Sequence, residues 1–240
     1  MTGRTDGQRS AASTVRVLSP SAMHSSLEAI AEAHHARTGE AVQLTFETAP
    51  SLVKRISEGE IADVIVAPPG VMDQLIEAGV TSRDSQLQLG RAGVGVAVRD
   101  GAPQPDVSTS TALKAALLQA DSIVHTLASS GLYVARMFER LGIAEQIAAK
   151  TARYHDAVGA FTHLKNGTGR EIGFGGIPEI RRWHDQGLHF VAPLPPDIQN
   201  YTTYIAALAL AAPNAEGARR FLHFLGSPEA KALCLANGID

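Results

Sequence analysis

Apolar positions along the chain alternate between a period of two and a period of three to four, beginning at Val15. Val15, Val17 and Leu18 predict a short strand broken by Pro20 and Ser21. Ser25 or Ser26 offers a cap for a helix carrying Leu27, Ile30 and Ala31, which Gly39 ends. Ala41 to Phe46 alternates as a strand. Thr48 to Ser51 offers a second cap, for a helix through Leu52, Val53 and Ile56 to Gly59. Ile61 to Ala67 is nearly continuously apolar and β-branched, as expected of a parallel strand covered on both faces. Pro68, Pro69 and Gly70 open a third helix with Met72, Leu75 and Ile76 on one face. The first 80 residues therefore read β-α-β-α-β-α, a doubly wound α/β pattern with right-handed crossovers.

Val94, Val96 and Val98 form the next alternating run, followed by the loop of residues 100–105 and a helix over Thr111 to Leu118. A strand over Ser122 to Leu127 leads through Ser129, Ser130 and Gly131 into a helix that Gly142 ends. Further helices are expected over Asp156 to Leu164 and Ile177 to Gly187, with a short strand at Ile172 to Phe174 between them. Val191 to Pro196 enters a proline-rich crossing, and Tyr201 to Ala211 reads as an extended strand. Two helices close the chain, Ala215 to Leu225 and Pro228 to Asn237, the second with Ser227 as cap and Pro228 at its first position. There is no internal repeat. The expected organisation is a loose tail over 1–14, one lobe over 15–95 plus 200–240, and a second over 96–199. Each lobe is a mixed, mostly parallel sheet flanked by helices. Two crossings, near Ala97 and Gln199, join them, with a crevice at the carboxyl ends of the strands.

The chain has 240 residues, 45% apolar and 19% charged, which excludes a disordered chain. No apolar run approaches the roughly 20 residues of a membrane span. A net charge of −3 and 5% aromatics give no footprint for nucleic acid. Residues 1–14 lack the apolar core of an export signal. The sequence as written reads as cytoplasmic, and as periplasmic if a leader precedes it. Cys234 stands alone, so no internal disulfide forms, and it fits a small buried residue.

Chemistry-bearing residues are few. No metal-ligand spacing occurs, and neither a metal nor an organic cofactor is expected. His24 precedes the first helix, as a donor or general base at the crevice lip or as an exposed loop residue. His125 ends a strand where residues face the crevice. His155 reads as peripheral. His34 and His35 diverge by about 100° on a helix and read as a solvated face. Arg181–Arg182 and Arg219–Arg220 also read as solvated helix surface. The Gly173 to Gly176 glycines lack the spacing of a dinucleotide loop and read as packing or turn residues.

Four stretches together resemble the molybdate-binding type of extracellular solute-binding protein, with the type-2 periplasmic binding protein fold. They are VLSPSAMHSSLEAIAEAH, VQLTFETAPSLVKRISEGEIADVIVAPP, the Ser129–Ser130–Gly131–Leu132–Tyr133 segment and FLHFLGSPEAKALCLANGI. The resemblance runs over nearly the whole chain from Val15. It implies an anion held between lobes by helix N-termini, a monomer, and an ABC permease as partner if the protein is exported. It places Ser21, Ala22, Thr48, Ala49, Ser129, Ser130, Val158 and Tyr204 at the ligand. The two serines that serve molybdate fall at Ala22 and Ala49, so their hydroxyls are missing. That departure favours a small organic carboxylate over molybdate.

Glu47 stands where the family usually has a small residue. A carboxylate there opposes a second anion by about 1–4 kcal/mol at close approach unless it points outward or is neutralised. The same residue opens an alternative, a cofactor-independent enzyme on this scaffold. Glu47, His24 or His125 would then move a proton α to a carboxylate, isomerising or tautomerising an unsaturated acid. A cytoplasmic ligand sensor is a third possibility.

Overall fold

The computed structural model describes residues 14–240, so the expected tail lies, apart from Thr14, outside the described residues. The first half follows the alternation read from the sequence. β1 (Val15–Pro20), α1 (His24–Thr38), β2 (Val42–Glu47), α2 (Ala49–Ser57), β3 (Val64–Ala67) and α3 (Pro69–Glu77) succeed one another. β1 pairs in parallel with β2 and β3, and the register sets Pro20 beside Glu47. The loops leaving these strands therefore emerge side by side at one sheet edge.

β4 (Leu87–Arg99) is the long strand that joins the halves. After it come α4 (Ser110–Gln119), β5 (Ser122–Thr126), α5 (Ser129–Arg140), α6 (Ala144–Ile147), β6 (Thr151–Tyr154) and α7 (Ala157–Asn166). β7 (Glu171–Gly176), α8 (Ile177–Arg182), β8 (Leu188–Pro193), β9 (Tyr201–Leu208), α9 (Ala215–Leu225) and α10 (Pro228–Ala236) complete the chain. The strand order is β2-β1-β3-β9-β4-β7-β5-β6, with β8 also on β4.

β4 pairs with β9 up to Gly93 and with β7 from Val94. The change of partner falls a few residues before Ala97, where the sequence put the crossing. The second crossing lies at Gln199, whose side chain fastens the two together. Its Oε1 accepts from the amides of Val94 at 2.9 Å and Asn200 at 2.8 Å, and its Nε2 donates to the Val94 carbonyl at 3.0 Å.

The pairing also orients the two halves. β4 runs antiparallel to β7 with Val94 opposite Gly176, and β9 runs antiparallel to β3 with Ile205 opposite Ala67. Strand carboxyl ends from both halves thus point toward the crossover, and the loops that open helices meet there.

Packing is two-sided in both halves. Val64 and Val66 bury into one apolar cluster with α1, α9 and α10, while Ile65 and Ala67 bury into another with α2 and α3. That is why β3 reads as an unbroken apolar run. Two further clusters cover the faces of the second sheet, around Val96 and Phe174 and around Ala97 and Phe161.

Several local expectations differ from the structure. α1 starts at His24 after a 3-10 turn over Ser21–Met23, with no side-chain cap, and Ser26 is buried inside the helix. His34 is buried rather than solvated. It packs edge-on against Phe221, and its Nε2 lies 3.2 Å from Glu40 Oε2. α6 and β6 have four residues each, too short to show a period.

Candidate functional site

A cavity of about 420 Å³ opens at the crossover, lined from both halves. Its walls are built largely from the starts of helices. β1 delivers Ser21, Ala22 and His24; β2 delivers Phe46, Glu47, Thr48 and Ala49. β5 delivers Thr126, Ala128, Ser129 and Ser130, and β6 delivers Asp156, Ala157 and Val158. Ala92, Gly93 and Val94 of the crossover strand, with Thr202 and Tyr204 of β9, form the floor.

The first amides of a helix have no acceptor within it, and here they face one space from opposite sides. On α2, Thr48 Oγ1 accepts from Ser51 N at 3.4 Å and Pro50 has no N–H, leaving Ala49 as the forward donor. α5 has Ala128 as cap with no side-chain bond, so the amides of Ser129 and Ser130 open its helix without an internal acceptor. α7 is capped by Asp156, which takes the Gly159 amide at 2.8 Å and leaves those of Ala157 and Val158 ahead of it. The aligned peptide dipoles add a fractional positive charge at each start.

The position of α5 depends on Gly131. A Cβ there would sit 1.8 Å from the carbonyl oxygen of Thr126, so only hydrogen lets the helix start this close to the end of β5.

The titratable groups sort by environment. Glu47 lines the cavity with its carboxylate 2.5 Å from Arg55 Nη1, which offsets the repulsion anticipated for a second anion. The ring of His24 stacks on Phe46 at 4.2 Å, and its Nδ1 lies 3.0 Å from Glu28 Oε2 one turn along α1. Burial holds this imidazole below its ordinary value of 6.5; the Arg182 charge adds to that, while Glu28 works against it. Glu179 and Tyr204 also line the cavity. Burial pushes the Glu179 carboxyl up, opposed by the Gly176 amide and Arg182. Burial, then the proximity of Glu179, pushes the Tyr204 hydroxyl up.

Every residue assigned to the ligand from sequence lines this cavity: Ser21, Ala22, Thr48, Ala49, Ser129, Ser130, Val158 and Tyr204. Glu47 and His24 do so as well. His125 does not. It is buried behind β5, edge-on to Phe138, with Nδ1 2.9 Å from the carbonyl oxygen of Thr126. A residue ending a strand points to one sheet face or the other, and His125 takes the core side.

Sequence reasoning missed Glu179 and Arg182. Three positions apart on α8, they share one face, and Arg181, about 100° away, stacks over Phe190 instead. The available signal was Gly176, a strand end followed at once by a helix, like the other loops that build the site.

Among the described residues no group of His, Cys, Asp and Glu is arranged to hold a metal ion, and no helix is long and apolar enough to cross a membrane.

Comparison with known proteins agrees with this architecture. A curated relative, the aconitate isomerase of a Pseudomonas species, is 30% identical over 225 residues, covering 90% of this chain and 84% of the relative. The periplasmic molybdate-binding protein of Azotobacter vinelandii superposes with a TM-score of 0.76 at 16% identity, over 94% of this chain and 98% of that one. The sulfate-binding protein SubI of Mycobacterium tuberculosis gives 0.74 at 15% identity, over 95% and 86%. The model of the bacterial extracellular solute-binding protein family matches residues 15–240, and the chain belongs to that family.

Proposed function

We propose that the cavity binds a small unsaturated polycarboxylate and isomerises it by moving a proton α to a carboxylate. The observation that carries this reading is the meeting, in one cavity, of converging helix starts with an imidazole and a carboxyl whose proton affinities are shifted in opposite directions: burial lowers that of His24 and raises that of Glu179. An anion cradle alone needs neither. The relative named aconitate isomerase supports the choice of reaction and of an unsaturated tricarboxylate as substrate.

The chemistry follows from that division. A carboxylate seated on the helix amides becomes a better electron sink, because charge growing on its oxygens meets donors already aimed at it. His24, whose Nδ1 lies 3.0 Å from Glu28 Oε2, takes a proton from the carbon beside the sink. The C–H electron pair enters the adjacent bond, the double bond shifts by one position, and a proton is returned at its far end. His24 itself or the Glu179 carboxyl returns it, so the ligand gains and loses one proton overall.

Glu47 is the less suited base. Arg55 occupies one of its oxygens, and a proton taken there costs the ion pair. Glu47→Gln is therefore expected to lower turnover by less than about tenfold, within the smaller end of acid–base effects. A loss of a hundredfold or more would return the base role to Glu47.

The test is incubation of the purified protein with cis-aconitate and chromatographic separation of the isomers. Appearance of trans-aconitate in proportion to protein supports the reading. Binding without conversion would leave a solute receptor, the second reading, which the Gln199-fastened double crossing also suits as a closing hinge. Neither binding nor conversion would remove both.

A further inference from the structure

We propose that Arg182 holds a second carboxylate of the ligand, so that the cavity selects acids carrying at least two carboxylates over those carrying one. This rests on the carboxylate reading above and deepens it.

Arg182 is the sole lysine or arginine among the described residues that line the cavity. It is also without a hydrogen bond or ion pair from its guanidinium among those residues. Nearby arginines differ: Arg55 is bound to Glu47 and Glu60, and Arg181 lies over Phe190. An exposed guanidinium with five donors in a planar fork, directed at a cavity and left unmatched, fits a carboxylate that binds it through two parallel hydrogen bonds.

Its place in the fold sets where that carboxylate lies. Arg182 ends α8 in the second half, and α8 packs against the 3-10 turn Ser21–Met23 of the first. Its charge is felt at His24 across the gap and at Glu179 on its own helix. The amide donors come instead from α2, α5 and α7, whose starts form separate parts of the lining. The lining then offers two kinds of anion holder, one on backbone and one on a side chain, in the same cavity as the proton-moving groups.

Charge balance points the same way. Of the three acidic groups of the lining, Glu47 is offset by Arg55 and Asp156 by the start of α7 it caps, while burial pushes the carboxyl of Glu179 toward its uncharged form. Helix starts contribute fractional charges, enough for one carboxylate but poorly matched to a guest with two or three. The additional charge of such a guest needs a full cation, and Arg182 supplies it.

The experiment is calorimetric titration of the full chain and of Arg182→Gln with trans-aconitate, glutaconate and crotonate, which carry three, two and one carboxylates. Arg182→Lys serves as the conservative variant. Arg182→Gln is expected to weaken trans-aconitate and glutaconate by about 10- to 100-fold, the range for losing charged hydrogen bonds, and to leave crotonate within about twofold. Arg182→Lys should recover part of the loss, since it keeps the charge but not the fork. An equal loss for all three acids would show a general field rather than a carboxylate contact and overturn the proposal; no loss would overturn it too. If the unaltered protein bound none of the three, the carboxylate reading itself would fail and this proposal with it. An unchanged melting temperature in the exposed Arg182→Gln variant separates these outcomes from misfolding.

Discussion

Replacing His24 by Gln is expected to lower the rate of isomerisation about 10²- to 10⁴-fold while shifting substrate affinity by no more than a few-fold. That is the usual range for removing a positioned general base. The side chain sits in the cavity wall on Phe46, so its loss leaves the helix amides and Arg182 untouched. Initial rates at several aconitate concentrations separate the two effects. A parallel fall in affinity and rate would mean that His24 binds rather than reacts.

The pH profile adds an independent check. The working form is neutral imidazole, and burial with Arg182 keeps its value below 6.5. The rate should therefore rise with pH through an inflection below 6.5, and the inflection should vanish in His24→Gln. Stability follows the same sign. Between the lowered folded value and 6.5 the unfolded chain binds more protons than the folded one. The contribution of His24 is complete above 6.5 and is lost as pH falls through the folded value.

Gly131→Ala has the second large expected effect. The added methyl would overlap the Thr126 carbonyl, which belongs to the sheet and cannot swing aside. Overpacking of this kind costs about 1–3 kcal/mol and occasionally more, and a 1.8 Å approach belongs at the upper end. If α5 yields instead, the Ser129 and Ser130 amides leave their position, and anion affinity should fall at least tenfold. Urea unfolding and carboxylate titration read the two losses. A variant with unchanged stability and affinity would contradict the placement of α5 as an anion-holding element.

The site's first half was legible because each loop combines local signals. Thr48 caps its helix from a position read off the sequence, and the apolar run to Ala67 ends at a proline pair that opens the next helix. Ser129 and Ser130 were legible through the family-like segment. Other features depend on tertiary placement. His34 occurs in a polar-looking pair, yet Phe221 and Phe224, nearly 190 positions away, bury it. Arg182 resembles its neighbour Arg181 in composition and differs only in the helix face it occupies. His125 was misdirected by the converse problem, because a strand end does not reveal which face its last side chains take. Glu47 could face the cavity or point outward on sequence alone; it lines the cavity, and its partner Arg55, eight positions on, gives no sign of pairing in the sequence.

Proton NMR of cis-aconitate with the protein in D2O tests the central claim most directly, because it follows the proton rather than the product. If one anion is gripped by helix starts from both halves while His24 acts on the adjacent carbon, trans-aconitate should accumulate and solvent deuterium should enter the methylene position at a rate that falls with His24→Gln. A spectrum in which the ligand's lines broaden on binding, with neither isomer formed nor deuterium incorporated, would contradict it.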